Sequence, residues 1–226
     1  MSLVGGFIRI VRQGFRVEFQ EKERLLTPLF FAALMLLLFN FVLDEQAEAV
    51  QVKLFVAEIF LTMLFALHLC FSRIFEADAE DRAFEVLQTY SLHRLAWFAG
   101  KYCLAMIFGL LVIVPMILLS GLFHGQATLF LLYSPALWGV VVLMLAGLSA
   151  LGVLLAAMML KARGREVLFP LLYFPLAIPV LLAASEAVLG FISGSAAAWQ
   201  WLGLLLGFDV IFITLSAVLF AELVGD

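Results

Sequence analysis

The sequence predicts an all-α membrane protein: six transmembrane helices preceded by an N-terminal amphipathic helix lying in the interface. Three observations predict it. Of 226 residues, 65% are hydrophobic and 13% charged, with a mean hydropathy of +1.16, whereas a soluble globular domain carries about 25% charged residues. The apolar residues come in runs long enough to cross a hydrocarbon core of about 30 Å at about 1.5 Å per residue. The lysines and arginines gather in segments that one side of such a bundle would hold. The period-two alternation of a transmembrane barrel is absent. No basic tail, Gly/Ser linker or low-complexity tract marks a second domain. Nothing reads as a nucleic-acid surface, and membrane lipids are the expected surroundings. The net charge of −4 identifies no partner.

Residues 1–24 precede the first span. Phe7, Val11, Phe15 and Phe19 recur every four residues, while Arg9, Arg12 and Arg16 follow another flank. That pattern predicts a helix in the membrane interface, arginines toward anionic headgroups. The first span is expected over Leu25–Leu43, with Pro28 in its first turn, where a missing N–H costs little. Ala47-Glu48-Ala49 resembles a signal cleavage site. The preceding run is longer than a signal h-region of about 7–15 residues, so the helix is expected to be retained. Asp44–Lys53 reads as a short acidic loop.

The second span is expected over Leu54–Phe75 and the third over Trp97–Phe123, with Pro115 as a kink. An uncharged outer loop, His124–Pro135, leads to the fourth span, Ala136–Leu160, whose Gly139, Gly147, Ser149 and Gly152 permit close helix approach. A basic turn, Lys161 to Arg165, precedes the fifth span, Glu166–Leu189. Its Pro170, Pro175 and Pro179 remove three backbone donors, which predicts a bent helix packed inside the protein. The sixth span, Trp199–Val224, opens on Trp199 and Trp201 as interfacial anchors. Of the 13 lysines and arginines, Lys53 alone falls on the outer side of this topology. Six spans with both termini in the cytoplasm follow. Residues 25–226 then form one six-helix domain, with a cytoplasmic segment, residues 76–96, between its second and third spans.

Little in the chain supports chemistry of its own. Gly100-Lys101 is followed by Tyr102 and preceded by Leu95 at the first glycine position, so the phosphate-binding loop pattern fails twice. His-Glu-x-x-His and Gly-x-Ser-x-Gly are absent. Cys70 and Cys103 have neither metal nor haem-attachment spacing and read as small buried residues. No metal site is predicted. The ionisable residues inside spans are Glu58, His68, Glu186 and Asp209. They read either as a substrate path, with His68 as a haem ligand, or as hydrogen-bonding groups between helices. Glu58 and His68 are ten residues apart, roughly 15 Å along the axis, and do not form one site. His93 and His124 fall in surface loops.

The segment between the second and third spans carries the most information. Asp78, Glu80, Asp81, Arg82 and Glu85 alternate with Phe75, Phe84, Val86 and Leu87. A short helix along the membrane surface would turn the apolar set inward and leave the carboxylates free to dock a soluble partner.

Two stretches carry a family resemblance: F-E-A-D-A-E-D-R-A-F-E-V-L (Phe75–Leu87), with Lys101 downstream, and F-P-L-L-Y-F-P-L-A-I-P-V-L-L-A-A (Phe169–Ala184). Together with the interfacial leader and six spans, they resemble the type-2 ABC exporter permeases, and within that class the haem exporter protein B family, CcmB, of cytochrome c maturation. Arg82 stands where the family often has glycine, and Ser91 near where it often has proline. W-Q-W-L-G does not match the tryptophan-rich haem motif of other proteins in that pathway. The resemblance implies a non-enzymatic permease subunit in a bacterial inner (plasma) membrane. It implies a partner ATPase (CcmA-like) that holds ATP-Mg, further membrane subunits (CcmC-like and CcmD-like), and a periplasmic haem chaperone (CcmE-like). ATP hydrolysis would then be coupled to release of the haem-loaded chaperone, with haem handled by the complex and no cofactor assigned to this chain. Asp78, Glu80, Asp81, Arg82, Glu85 and Leu87 are the expected contacts to the ATPase. Two alternatives share the topology: a type-2 permease for another lipid or drug-like substrate, and an ion-coupled secondary transporter using Asp209 and Glu58. The two halves show no repeat of the kind such transporters carry.

Overall fold

The computed structural model describes residues 7–8, 10–12, 14–16, 22–43, 48–75, 94–123, 132–159 and 164–223. These are helical apart from short turns. Six long helices follow in order: α1 (Lys22–Leu43), α2 (Glu48–Phe71), α3 (Arg94–Phe123), α4 (Pro135–Met158), α5 (Arg165–Ile192) and α6 (Ala197–Leu223). Helices α2 to α6 are long and apolar enough to cross a membrane, and the apolar part of α1, Leu25–Phe41, has 17 residues. That is the short end of the range for a span. The chain is a multi-pass helical membrane protein.

Most boundaries lie within three residues of expectation, and the exceptions have local causes. Helix α1 starts at Lys22, so Pro28 lies in its second turn, not its first. Helix α2 starts at Glu48, well inside the expected acidic loop, because Glu48, Ala49 and Gln51 tolerate helix well. Lys53 is therefore an exposed residue of α2 rather than of a loop. At its other end α2 stops at Phe71, four residues early, and 72–75 turn back on the bundle.

The largest correction concerns α5. Its three prolines do not interrupt it, and Arg165–Ile192 is one α-helix. Nor is it packed inside, since one third of its apolar 18-residue stretch is buried (33%). Pro175 is exposed, and Pro170 and Pro179 are half-buried. Each proline removes one i→i−4 bond and leaves a carbonyl without its helical donor, yet the chain continues as α-helix through all three. Pro115 likewise lies on the exposed face of an unbroken α3.

The interior belongs to α4, which touches α2, α3, α5 and α6. Every residue from Gly147 to Ala156 is buried. Between helices in lipid there is no water to expel, so close packing of small residues decides which helix sits at the centre. Helices α5 and α6 form a tight hairpin. Gly194 takes a left-handed φ of +67°, Ser195 N–H donates to Gly190 O at 2.9 Å, and a Cβ at Gly190 would crowd Ala198. The described residues of the leader are helical and lie on α3, with Phe15 stacked 6.1 Å from Phe108 and Ile10 against Gly100. Arg12 and Arg16 are exposed.

Candidate functional site

At the end of α2, residues of α3, α4, α5 and α6 come together around one short stretch. After Phe71 the chain leaves the helix. Ser72 N–H donates to His68 O at 3.0 Å, and its hydroxyl donates to Leu69 O at 3.2 Å. Ile74 N–H donates to Phe71 O at 3.2 Å. Arg73 points out to the exposed side, whereas Ile74 and Phe75 fold back and are buried. A serine that satisfies a last-turn carbonyl and a backbone turned inward by two apolar side chains account for the stop.

On one flank of this turn, Phe75 packs edge-on to Trp97 at 6.3 Å and stacks on Phe220 at 6.2 Å. Trp97 meets Phe220 at 5.6 Å, nearly perpendicular, and Phe98 meets Phe220 at 5.6 Å. The turn after α2, helix α3 and helix α6 thus share one aromatic cluster, each pair contributing about 0.5–1.5 kcal/mol beyond area burial. Lys101, one turn after Trp97, points into it. Its Nζ lies 4.9 Å from the centre of the Phe75 ring and donates to Ile74 O at 3.1 Å. The lysine is 6% exposed.

The other flank joins α2 to α4 and α5. Phe71 packs edge-on to Tyr173 at 6.3 Å, and a Cβ at Gly152 would overlap the Phe71 ring. His68 is surrounded by Phe169, Tyr173 and Phe174 at 5.3, 5.9 and 5.0 Å between ring centres. Its Nδ1 is buried with no hydrogen-bond partner among the described residues.

The six residues expected to contact a partner, Asp78, Glu80, Asp81, Arg82, Glu85 and Leu87, lie outside the described residues. Along the chain their segment follows Phe75 and precedes Arg94. Phe75 belongs to the aromatic cluster, and Arg94 is three residues from Trp97.

The remaining ionisable candidates are dispersed. Glu58 is 1% exposed on α2, one turn from the buried Thr62. Glu186 is exposed near the C-terminal end of α5. Asp209 is 5% exposed in the middle of α6. Its carboxylate lies against the Gly147 backbone of α4, where a Cβ would overlap it. Neither oxygen has a hydrogen-bond partner of ordinary geometry among the described residues. Buried Ser149 on α4 and Ser216 on α6 add further hydroxyls to the interior.

In the sequence Lys101 counts among the charges that orient the bundle, and residue order alone does not foretell its burial. The available signal was a lysine one turn beyond a Trp-Phe pair, well inside an apolar helix. The fourth member of the cluster, Phe220, lies too far along the chain for any spacing rule to have found it.

Comparison with known proteins adds two findings. The chain is 28% identical over 189 residues to "Heme exporter protein B" of Haemophilus influenzae, covering 80% of each chain. Residues 6–224 match the family model described as CcmB protein. A match over nearly the full length, on a bundle of this topology, places the chain in the CcmB family.

Proposed function

We propose that the chain is the permease subunit of an ABC transporter complex for haem export and cytochrome c maturation. A partner ATPase binds ATP-Mg and docks on the acidic segment through Asp78, Glu80, Asp81, Arg82, Glu85 and Leu87. Further membrane subunits and a periplasmic haem chaperone complete the complex. Hydrolysis in the partner is coupled to release of the haem-loaded chaperone. The acidic segment faces the cytoplasm, and both termini lie on that side.

Family membership carries this reading, and the placement of the segment supports it. The chain enters the segment directly from a cluster whose rings belong to the turn after α2, to α3 and to α6, while α2 itself is tied to α4 and α5. A displacement delivered there reaches five helices through packed contacts, which is what biasing a two-state bundle requires.

The test is a charge reversal in the intact complex. The doubly substituted chain, Asp81→Lys with Glu85→Lys, is expected to reach the membrane but to lose the co-purifying ATP-hydrolysing subunit and most covalent cytochrome c. Full complex formation with normal cytochrome yield would sink the proposal.

A further inference from the structure

We propose that Lys101 is a positioning residue, holding the point at which the chain leaves α2 for the acidic segment, and that coupling depends on it while assembly does not. The inference rests on the permease reading above. It assigns a role to a residue outside the acidic segment.

Three features of Lys101 separate it from an orienting surface charge. A lysine that only marks the inner side of a membrane extends its amine to water; this one is 6% exposed. Its amine meets two consecutive residues of α2's turn, the carbonyl of Ile74 and the ring of Phe75. Both partners suit a cation. Carbonyls past the last turn of a helix lack intrahelical donors and lie at the negative end of its dipole, and an aromatic face attracts an ammonium group within about 6 Å.

The choice of residue also argues for a tie rather than a filler. A methionine or leucine would occupy the same space without the cost of withdrawing a charge from water, and apolar replacements of buried charges are often neutral or stabilising. The lysine supplies a donor reaching across from α3 to the main chain of the α2 turn, which neither replacement could. The neighbouring ring contacts, Trp97 with Phe220 and Phe98 with Phe220, do not involve the amine. Without it those helices still pack, but the Ile74 carbonyl loses its donor and the turn gains freedom to move independently of α3 and α6. Force arriving through the segment would then be absorbed at Ile74 and Phe75 instead of passing into the bundle.

The experiment uses the full chain in its membrane complex, with Lys101→Met, Lys101→Arg and, as a control for simple loss of charge, Arg73→Met at an exposed position. Four quantities are measured: the amount of chain in membranes, the co-purifying ATPase subunit, ATP hydrolysis by the purified complex, and covalent cytochrome c in cells. Hydrogen exchange at the amides of residues 72–75 is followed in the purified protein. For Lys101→Met, chain level and bound ATPase subunit are expected within about twofold of wild type, while cytochrome c per unit of ATPase activity falls about tenfold or more, the size of one buried acceptor left unsatisfied. Exchange at residues 72–75 rises. Lys101→Arg, which keeps both donor and cation, recovers most of the loss, and Arg73→Met has no effect.

Wild-type cytochrome yield in Lys101→Met overturns the proposal, as does unchanged exchange at residues 72–75. Equal loss of chain and partner in Lys101→Met and Lys101→Arg also overturns it, since the residue would then be purely structural. Failure of the underlying reading is separately visible: a strain lacking the chain altogether would make normal cytochrome c. The coupling role falls with that result, while the exchange measurement still decides whether Lys101 holds the turn.

Discussion

Helices α4 and α6 are of similar length and almost wholly apolar, yet in an apolar 18-residue stretch of each, 78% is buried in α4 and 22% in α6. Apolar content therefore sends both into the membrane without deciding which is enclosed by protein. Small residues make that decision. Helix α4 carries Gly147, Ser149, Ala150, Gly152 and Ala156 in a stretch buried on every side. Helix α6 buries one stripe, Leu205, Asp209, Phe212, Ser216 and Phe220, and turns Leu204, Val210, Ile211, Leu215 and Val218 outward. The inward stripe is more polar and more aromatic than the outward one, the reverse of a soluble helix.

The sharpest way to break this comparison is to place the same side chain on both helices. Gly152→Leu must displace the Phe71 ring, which is already held by Tyr173. It is expected to destabilise the chain by about 3 kcal/mol, the upper end for overpacking a filled core. Gly203→Leu on α6 meets nothing within 4 Å and is expected to change stability by less than about 0.5 kcal/mol. Thermal unfolding in detergent, with the yield of monodisperse protein, measures both. Equal losses would show that the outward face of α6 is as filled as α4. A stable Gly203→Leu chain that fails to assemble would place a partner subunit on that face.

Particular residues explain how much of this was legible beforehand. The long apolar helices were, because membrane thickness sets a length that a run of residues either meets or misses, and α2 to α6 meet it. The end of α2 was not, because Ile74 and Phe75 look like two more residues of a span. Only the inward turn of the backbone and the rings of Trp97 and Phe220 show that they cap it. The exposure of α5 was not legible because residue order does not say which helices cover the face on which its prolines free carbonyls. The acidic segment was visible as composition, whereas Lys101, which contacts the turn before it, was hidden by a contact 27 residues long.

Helix α5 sharpens the comparison from another side. Pro175 is exposed within a continuous helix, so alanine there restores the bond to the Leu171 carbonyl without steric conflict. Pro175→Ala is expected to stabilise the chain by about 1–2 kcal/mol, part of the roughly 3 kcal/mol that an interior proline costs. If the prolines serve to let α5 bend during transport, cytochrome c yield falls while the melting temperature rises. A rise in both would leave the prolines without a role in movement.

A smaller effect than that of Pro175→Ala is expected at Asp209, and it bears on how α4 and α6 recognise each other. The carboxylate occupies the notch that Gly147 leaves in α4, so the two helices meet through a polar group and a missing side chain. Asp209→Asn keeps the shape and removes the capacity for charge. If Asp209 serves only to fill the notch, the amide is expected to leave function unchanged and to raise stability by about 1 kcal/mol or less, because a buried group unable to ionise incurs a smaller desolvation cost. If the carboxyl binds or moves an ion, Asp209→Asn instead gives a stable chain with little cytochrome c, and the wild-type activity depends on the ion gradient as well as on ATP. Measuring stability and cytochrome yield on the same preparation, with and without a protonophore, separates the two. In the first outcome α6 is a lipid-facing helix with a polar seam. In the second it lines a path, and its low burial marks where the cargo or another subunit approaches α4.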